Sequence, residues 1–153
     1  MDKFIEKIEK NKIAIIRTWI SSPRVIKIIR TYSINEDLLV KRYSFGFLEH
    51  YLLVIKNDEK TQNCPVVMDF LKYLKKQNLR VNELFTLFSA FRESLIDFAF
   101  KMQCQSLDLF EKINFYFEKI FSSVLDIYAK SIVQVENALN KSIDIVDKYV
   151  IMS

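Results

Sequence analysis

Val81-Asn82-Glu83-Leu84-Phe85-Thr86-Leu87-Phe88-Ser89-Ala90-Phe91-Arg92-Glu93-Ser94-Leu95-Ile96-Asp97-Phe98-Ala99-Phe100-Lys101-Met102 is the stretch on which the fold turns. Its phenylalanines at 85, 88, 91, 98 and 100 recur at helical intervals yet cover more than one face. A helix apolar that far round is packed on several sides, so this segment reads as the central helix of an all-α protein. Arg92, Glu93 and Asp97 break its apolar run, and no stretch of the chain reaches the roughly 18 apolar residues of a membrane helix. Arg92 stands out among the phenylalanines. It either runs its charge out to solvent or pairs with Glu93, Asp97 or a carboxylate of a neighbouring helix; the alternative is an anchor for an anion or ligand. The thirteen phenylalanines are mainly core, and Phe85, Phe88 and Phe91 with Tyr116 are the candidates to line an apolar pocket for a small ligand.

Working outward, one glycine and two prolines in 153 residues leave almost no vocabulary for hairpins, so helices are expected on both sides of the central one. The spacing of Phe4, Ile5, Ile8, Ile15, Ile16, Trp19 and Ile20 predicts a first helix over about 2–20. Ser22 as cap and Pro23 in the first turn start a second, with Val25, Ile26, Ile29 and Tyr32 inward. Ser33 and Glu36 have capping-box spacing and open a third helix that reaches about Ile55. The polar run from Lys56 to Asn63 reads as the main surface loop, and Cys64-Pro65 opens a fourth helix with Val66, Val67, Phe70, Leu71 and Leu74 inward. Lys75 to Arg80 connects it to the central helix. Gln103 to Ser106 is read as a break with Ser106 as cap, because a helix running straight on would be roughly 100 Å long.

The last helix is expected over about Leu107 to Val146. Phe121, Leu125, Tyr128, Ile132, Val135, Leu139, Ser142 and Val146 follow a 4-3 spacing with seven apolar members, the pattern of a coiled-coil seam and hence of a homodimer. Off-seam apolar residues Ile113, Phe117, Ile120 and Val124 indicate that the first half, to about Ile127, is packed on its own domain. Tyr149 to Met152 has strand-like composition, and a strand needs a partner for its backbone groups. The organisation expected is a helical domain over 1–127, a coiled-coil helix over 128–148 and the start of a downstream domain over 149–153; the resemblance described below implies that the first is a sensor and the second its signalling helix.

The net charge of +4 is uneven, with eight cations against three anions in the first thirty residues. A basic amphipathic start suits nucleic acid or an acidic membrane surface, giving a basic helical nucleic-acid-binding domain as one alternative function, but Glu6 with Lys10 has the spacing of an ordinary solvated helix face, so the reading has neither partner. Cys64 and Cys104 form no paired motif and read as small buried hydrophobes. With a Lys-rich N-terminus lacking a signal pattern, they point to the cytoplasm. His50 is the single histidine. No nucleophile motif accompanies it, metal-ligand spacings are missing and phosphate loops need glycines the chain lacks, so catalysis is not expected of this segment. Haem ligation requires a His, Cys, Met or Tyr facing an apolar pocket. His50 is the haem candidate, giving a globin-type gas sensor as the alternative function, but it sits on the third helix rather than a late one, and the reading is cofactor-free.

Three segments carry a family resemblance: Ile15-Ile16-Arg17-Thr18-Trp19, then Arg42-Tyr43-Ser44-Phe45-Gly46-Phe47-Leu48, and Leu79-Arg80-Val81-Asn82-Glu83-Leu84 leading into Phe91-Arg92-Glu93-Ser94-Leu95. Over about residues 10–130 the chain resembles the N-terminal sensor domain of stressosome Rsb-type proteins. The resemblance implies a non-haem, globin-like domain of about six helices, dimeric, whose long last helix leads into a signalling domain. That family often has a glycine before the central helix, where this chain has Gln77-Asn78. Separately, Ala138 to Met152 resembles the junction that leads into PAS domains. Together they imply the input domain of a PAS-containing sensor histidine kinase or diguanylate cyclase.

Overall fold

The structure, a computed structural model, describes residues 1–57 and 64–152, with side chains described to residue 130. Every regular element among the described residues is helical, so the protein is all-α as expected. The helices are α1 (Asp2–Lys10), α2 (Lys12–Ile20), α3 (Pro23–Thr31), α4 (Glu36–Leu38), a π-helical segment (Leu39–Ser44), α5 (Phe45–Asn57), α6 (Pro65–Lys76), α7 (Val81–Lys101) and α8 (Leu107–Met152). The loop expected over Lys56 to Asn63 lies mostly outside the described residues; Lys56 and Asn57 close α5.

The first expected helix is two. Asn11 leaves helical geometry at φ −133°, its amide bonds back to Ile8 and its Nδ2 donates to the Lys7 carbonyl at 2.8 Å. An asparagine side chain competing for the backbone in this way is a common helix interruption. All seven apolar residues assigned to it are nevertheless buried, because the break preserves the facing of both halves. On α3, Val25 is buried as expected, but Ile28 takes the second inward position, with Ile26, Ile29 and Tyr32 only half-buried.

The capping box at Ser33 does not form. Asn35 caps α4 instead, its Oδ1 accepting the Leu38 amide at 3.0 Å, while Ser33 adopts φ +52°. Ser33 belongs to the end of α3. Asn78 (φ +64°) and Gln103 (φ +55°) are its counterparts after α6 and α7. At each of the three, the next residue sends its amide back five positions: Ile34 to Ile29, Leu79 to Leu74, Cys104 to Ala99. This is the left-handed stop usually made with glycine. In a chain with one glycine, serine, asparagine and glutamine make it, and the apolar residue behind pins the turn, with Ile34 and Leu79 buried. The start of α8 matches its expected cap, the Ser106 hydroxyl accepting the Leu109 amide at 3.1 Å.

α7 is central, packing against α2, α3 and α8, while α5 and α6 pack on each other and on α8. Trp19 organises the core. Fully buried, it donates Nε1–H to the Leu87 carbonyl at 2.8 Å, and its ring lies 5.0 Å from Phe91 and 5.7 Å from Phe47. Phe47 meets Phe91 edge-on at 4.9 Å, and Tyr51 meets it edge-on at 5.3 Å. Tilted and edge contacts of this kind add to area burial because ring edges are positive and faces negative. Gly46 serves close approach: α6 passes so near that a β-carbon there would overlap Val66.

α8 runs 46 residues without a break, through the expected boundaries at 127/128 and 148/149. Tyr149 to Met152, expected as a strand, continues this helix. Adding residues to an existing helix gains a hydrogen bond each without a new nucleation cost, and that outweighs the β-leaning of Tyr, Val and Ile.

Candidate functional site

The expected pocket residues are not brought together. Phe88 and Phe91 are fully buried and in ring contact with Trp19 and Phe47, so the space between them is filled. Phe85 is half-exposed and turns to α8, and Tyr116 is half-buried against Phe115 on another side of α8. Phe100 is also half-exposed, so the central helix is apolar beyond its buried face without being buried all round.

Of the arrangements expected for it, Arg92 does not adopt the ion pair. Among the described residues it has no carboxylate partner; its guanidinium lies over the Phe117 ring, 4.8 Å from the centroid. A weakly hydrated, planar cation on an aromatic face keeps its charge near solvent while packing its stem. Three contacts then form a ladder between α7 and α8: Phe85 to Phe121 at 5.6 Å, Arg92 to Phe117 at 4.8 Å and Phe100 to Phe110 at 5.4 Å. As the numbers rise along α7 they fall along α8, so the two helices are antiparallel. The same two helices also carry exposed apolar surface: Val81, Phe85, Phe100 and Leu107 are exposed, and Phe110 and Leu125 half-buried.

The seam divides at Tyr128. Phe121 and Tyr128 are buried in their own domain, a correction to their place in a dimer seam, while Leu125 remains half-buried. Phe121 stacks on Phe117 at 5.6 Å and Tyr128 donates its hydroxyl hydrogen to the Leu79 carbonyl. The physical reason is that 4-3 spacing describes a helix face without naming what covers it, and here α6 and α7 reach that face first. The side chains of Ile132, Val135, Leu139 and Val146 lie outside those described.

His50 is half-buried on α5 and has no hydrogen-bond partner among the described residues; burial pulls its pKa below the usual imidazole value. The centre of the bundle is filled by Trp19, Phe47, Phe88 and Phe91, whose rings pack on one another and leave no room among them for a porphyrin. Cys64 and Cys104 are free thiols, half-buried rather than fully so, and Cys104 Sγ lies 3.5 Å from the Ala99 carbonyl. Among the described residues, no group of three or more His, Cys, Asp and Glu side chains could hold a metal ion, and no helix is long and apolar enough to cross a membrane.

Part of the basic N-terminus is engaged locally. Lys56 pairs with Glu9, Lys12 with Glu49 at 3.7 Å, and Lys7 Nζ reaches the Met102 carbonyl at 3.4 Å. A small cavity of about 80 Å³ lies between α2 and α7, lined by Asn11, Ala14, Thr18, Ser94, Asp97 and Met102 among others. Ser44 on the π segment and Ser89 on α7 each bury a hydroxyl that has no hydrogen-bond partner among the described residues.

What spacing alone could not reveal is the cluster around Tyr128, the last buried residue described on α8. There Lys75 Nζ, enclosed and without a hydrogen-bond partner among the described residues, stands 5.9 Å from the Tyr128 ring centroid. Burial lowers its pKa and pushes the Tyr128 phenol up to about 12, with Tyr32 adding to the latter. No protein-family model matches this chain, and no characterised protein or solved structure matches it significantly.

Proposed function

We propose that this chain is a sensory and dimerisation domain of a signal-transduction protein, which passes its state through α8 to an output module following it in sequence, such as a PAS domain. The observation that carries the reading is the double use of α8. Ile113, Phe117, Ile120, Val124 and Tyr128 are core residues of the domain, yet the same helix continues to Met152. That is roughly 36 Å of further helix at the usual rise. α6, with 12 residues, and α5, with 13, span only about 20 Å each, too short to line α8 along its length. A rigid element rooted in a packed core and extending out of it converts a small repacking at the root into a displacement at the far end.

Dimerisation is supported by two features that adjoin. One is the exposed apolar surface carried by α7 and α8; the other is the 4-3 spacing that α8 carries past Tyr128 through Ile132, Val135, Leu139 and Val146. Two copies laid along this line would each cover the other's Phe85 and Leu125 and then pair as a coiled coil. The test is light scattering of the 153-residue chain with Leu139→Lys and Phe85→Glu. A dimer that both substitutions weaken is expected. A monomer at high concentration, with neither substitution having any effect, would remove the dimer from this reading.

A further inference from the structure

α8 changes company at Tyr128, its last described buried residue, with Ala129 and Lys130 exposed beyond it. Three things meet there. The Tyr128 hydroxyl donates to the carbonyl of Leu79, in the turn between α6 and α7. That turn is held in one conformation by Asn78 at φ +64° and by the Leu79 amide bonding back to Leu74 at 3.1 Å, with the Leu79 side chain buried. Lys75, on the last turn of α6, places its enclosed ammonium near the face of the Tyr128 ring. The phenol is thus gripped by the α6–α7 turn, through Leu79, and by the end of α6 that leads into it, through Lys75.

We propose that Tyr128 is a latch: its hydroxyl ties α8, at this last described buried residue, to the α6–α7 turn, so that the state of this turn sets how firmly the following helix is held. This rests on the reading of α8 as the output element, and adds the residue through which the core reaches it. The physical reasoning is that a buried carbonyl left without its donor is costly, so turn and tyrosine move together or not at all. The turn also sits at the N-terminus of α7, the helix that carries Leu87, Phe88 and Phe91 against Trp19, so repacking around the tryptophan reaches it along a rigid body.

The experiment is amide hydrogen exchange on the 153-residue chain, followed in peptides covering 129–140 and, as controls, in α2 and α5. Tyr128→Phe keeps the ring and removes the hydroxyl; exchange over 129–140 should quicken about five-fold, the loss of one hydrogen bond, with the controls unchanged. Asn78→Ala strains the turn and should quicken the same peptides in the parent chain but add nothing in the Tyr128→Phe background. Leu79→Ala, which loosens the turn through its side chain and keeps the carbonyl, is a second perturbation and should show the same dependence. Turn substitutions that act equally in both backgrounds would overturn the latch, as would a Tyr128→Phe effect that is absent or uniform over the molecule. Oligomeric state measured alongside separates the two readings. A monomer showing the conditional exchange removes the dimer and keeps the latch, whereas a dimer without it removes the latch alone.

Discussion

Gly46→Ala sets two physical effects against each other with opposite signs. Gly46 lies on α5 with ordinary helical geometry, so by propensity alone alanine should stabilise the protein by about 1 kcal/mol. Packing says the reverse. The new β-carbon would overlap Val66 Cγ1 and come within 2.9 Å of Val66 Cβ, where carbon atoms ordinarily rest about 3.5–4.0 Å apart. Rotating the valine relieves only the first overlap, since Cβ is fixed by the α6 backbone. α5 and α6 must therefore separate by roughly 1 Å, which disturbs Phe47 and Val67 on either side of the contact; overpacking of this kind costs about 1–3 kcal/mol. The expected sum is a loss of up to about 2 kcal/mol, seen as a fall in Tm of about 2–4 °C per kcal/mol for a chain of this size. Urea unfolding followed through the single tryptophan, Trp19, measures it. In a Val66→Ala background the larger overlap disappears and Gly46→Ala should cost about 1 kcal/mol less, a coupling read directly from the double-mutant cycle. A Gly46→Ala protein more stable than the parent would refute the close approach of α5 to α6.

Three other outcomes follow from the core and its titrating groups. Trp19→Phe removes the bond to Leu87 and part of a fully buried side chain, and should lower stability by about 2–4 kcal/mol in the same urea assay. Burial holds the Tyr51 and Tyr128 phenols above their unfolded value of 10.0, Tyr128 at about 12, so their contribution is complete below pH 10 and is lost as the pH rises above it. Alkaline unfolding should show a falling limb above pH 10 that becomes shallower in Tyr51→Phe. His50, whose folded pKa is lowered by burial, acts on the other side: its contribution is complete above the unfolded value of 6.5 and declines as the pH falls below it, a decline that His50→Gln should reduce in unfolding measured from pH 7.5 to 5.

The all-α class, the central place of α7 and the inward faces of α1, α2 and α6 were legible from the sequence because each rests on local periodicity, which a helix imposes whatever its neighbours do. Trp19 and Phe88 could be assigned inward for the same reason. The ends of the helices were harder to read. Punctuation by glycine was missing, and Ser33, Asn78 and Gln103, which are ordinary in many contexts, took the left-handed stops only because Ile34, Leu79 and Cys104 had an interior to anchor in.

The candidate site was legible only in outline. Arg92 stood out as a charge on an apolar helix, but its partner, the Phe117 ring, lies 25 positions on and is chosen by how α7 and α8 cross. Phe85, Phe88 and Phe91 look alike in one dimension; two became core and one became surface because α8 covers one flank of α7 and leaves the next open. The seam through Phe121, Leu125 and Tyr128 is a true face of α8, yet spacing cannot say whether a face meets its own domain or another chain. Local sequence dictates which residues share a face, since that depends on the helical repeat alone. Which face is covered, by what and how far along depends on contacts between residues distant in the chain, and these the folded arrangement decided: the Tyr128 bond to Leu79, the ladder along α7 and α8, and the passage of α6 over Gly46.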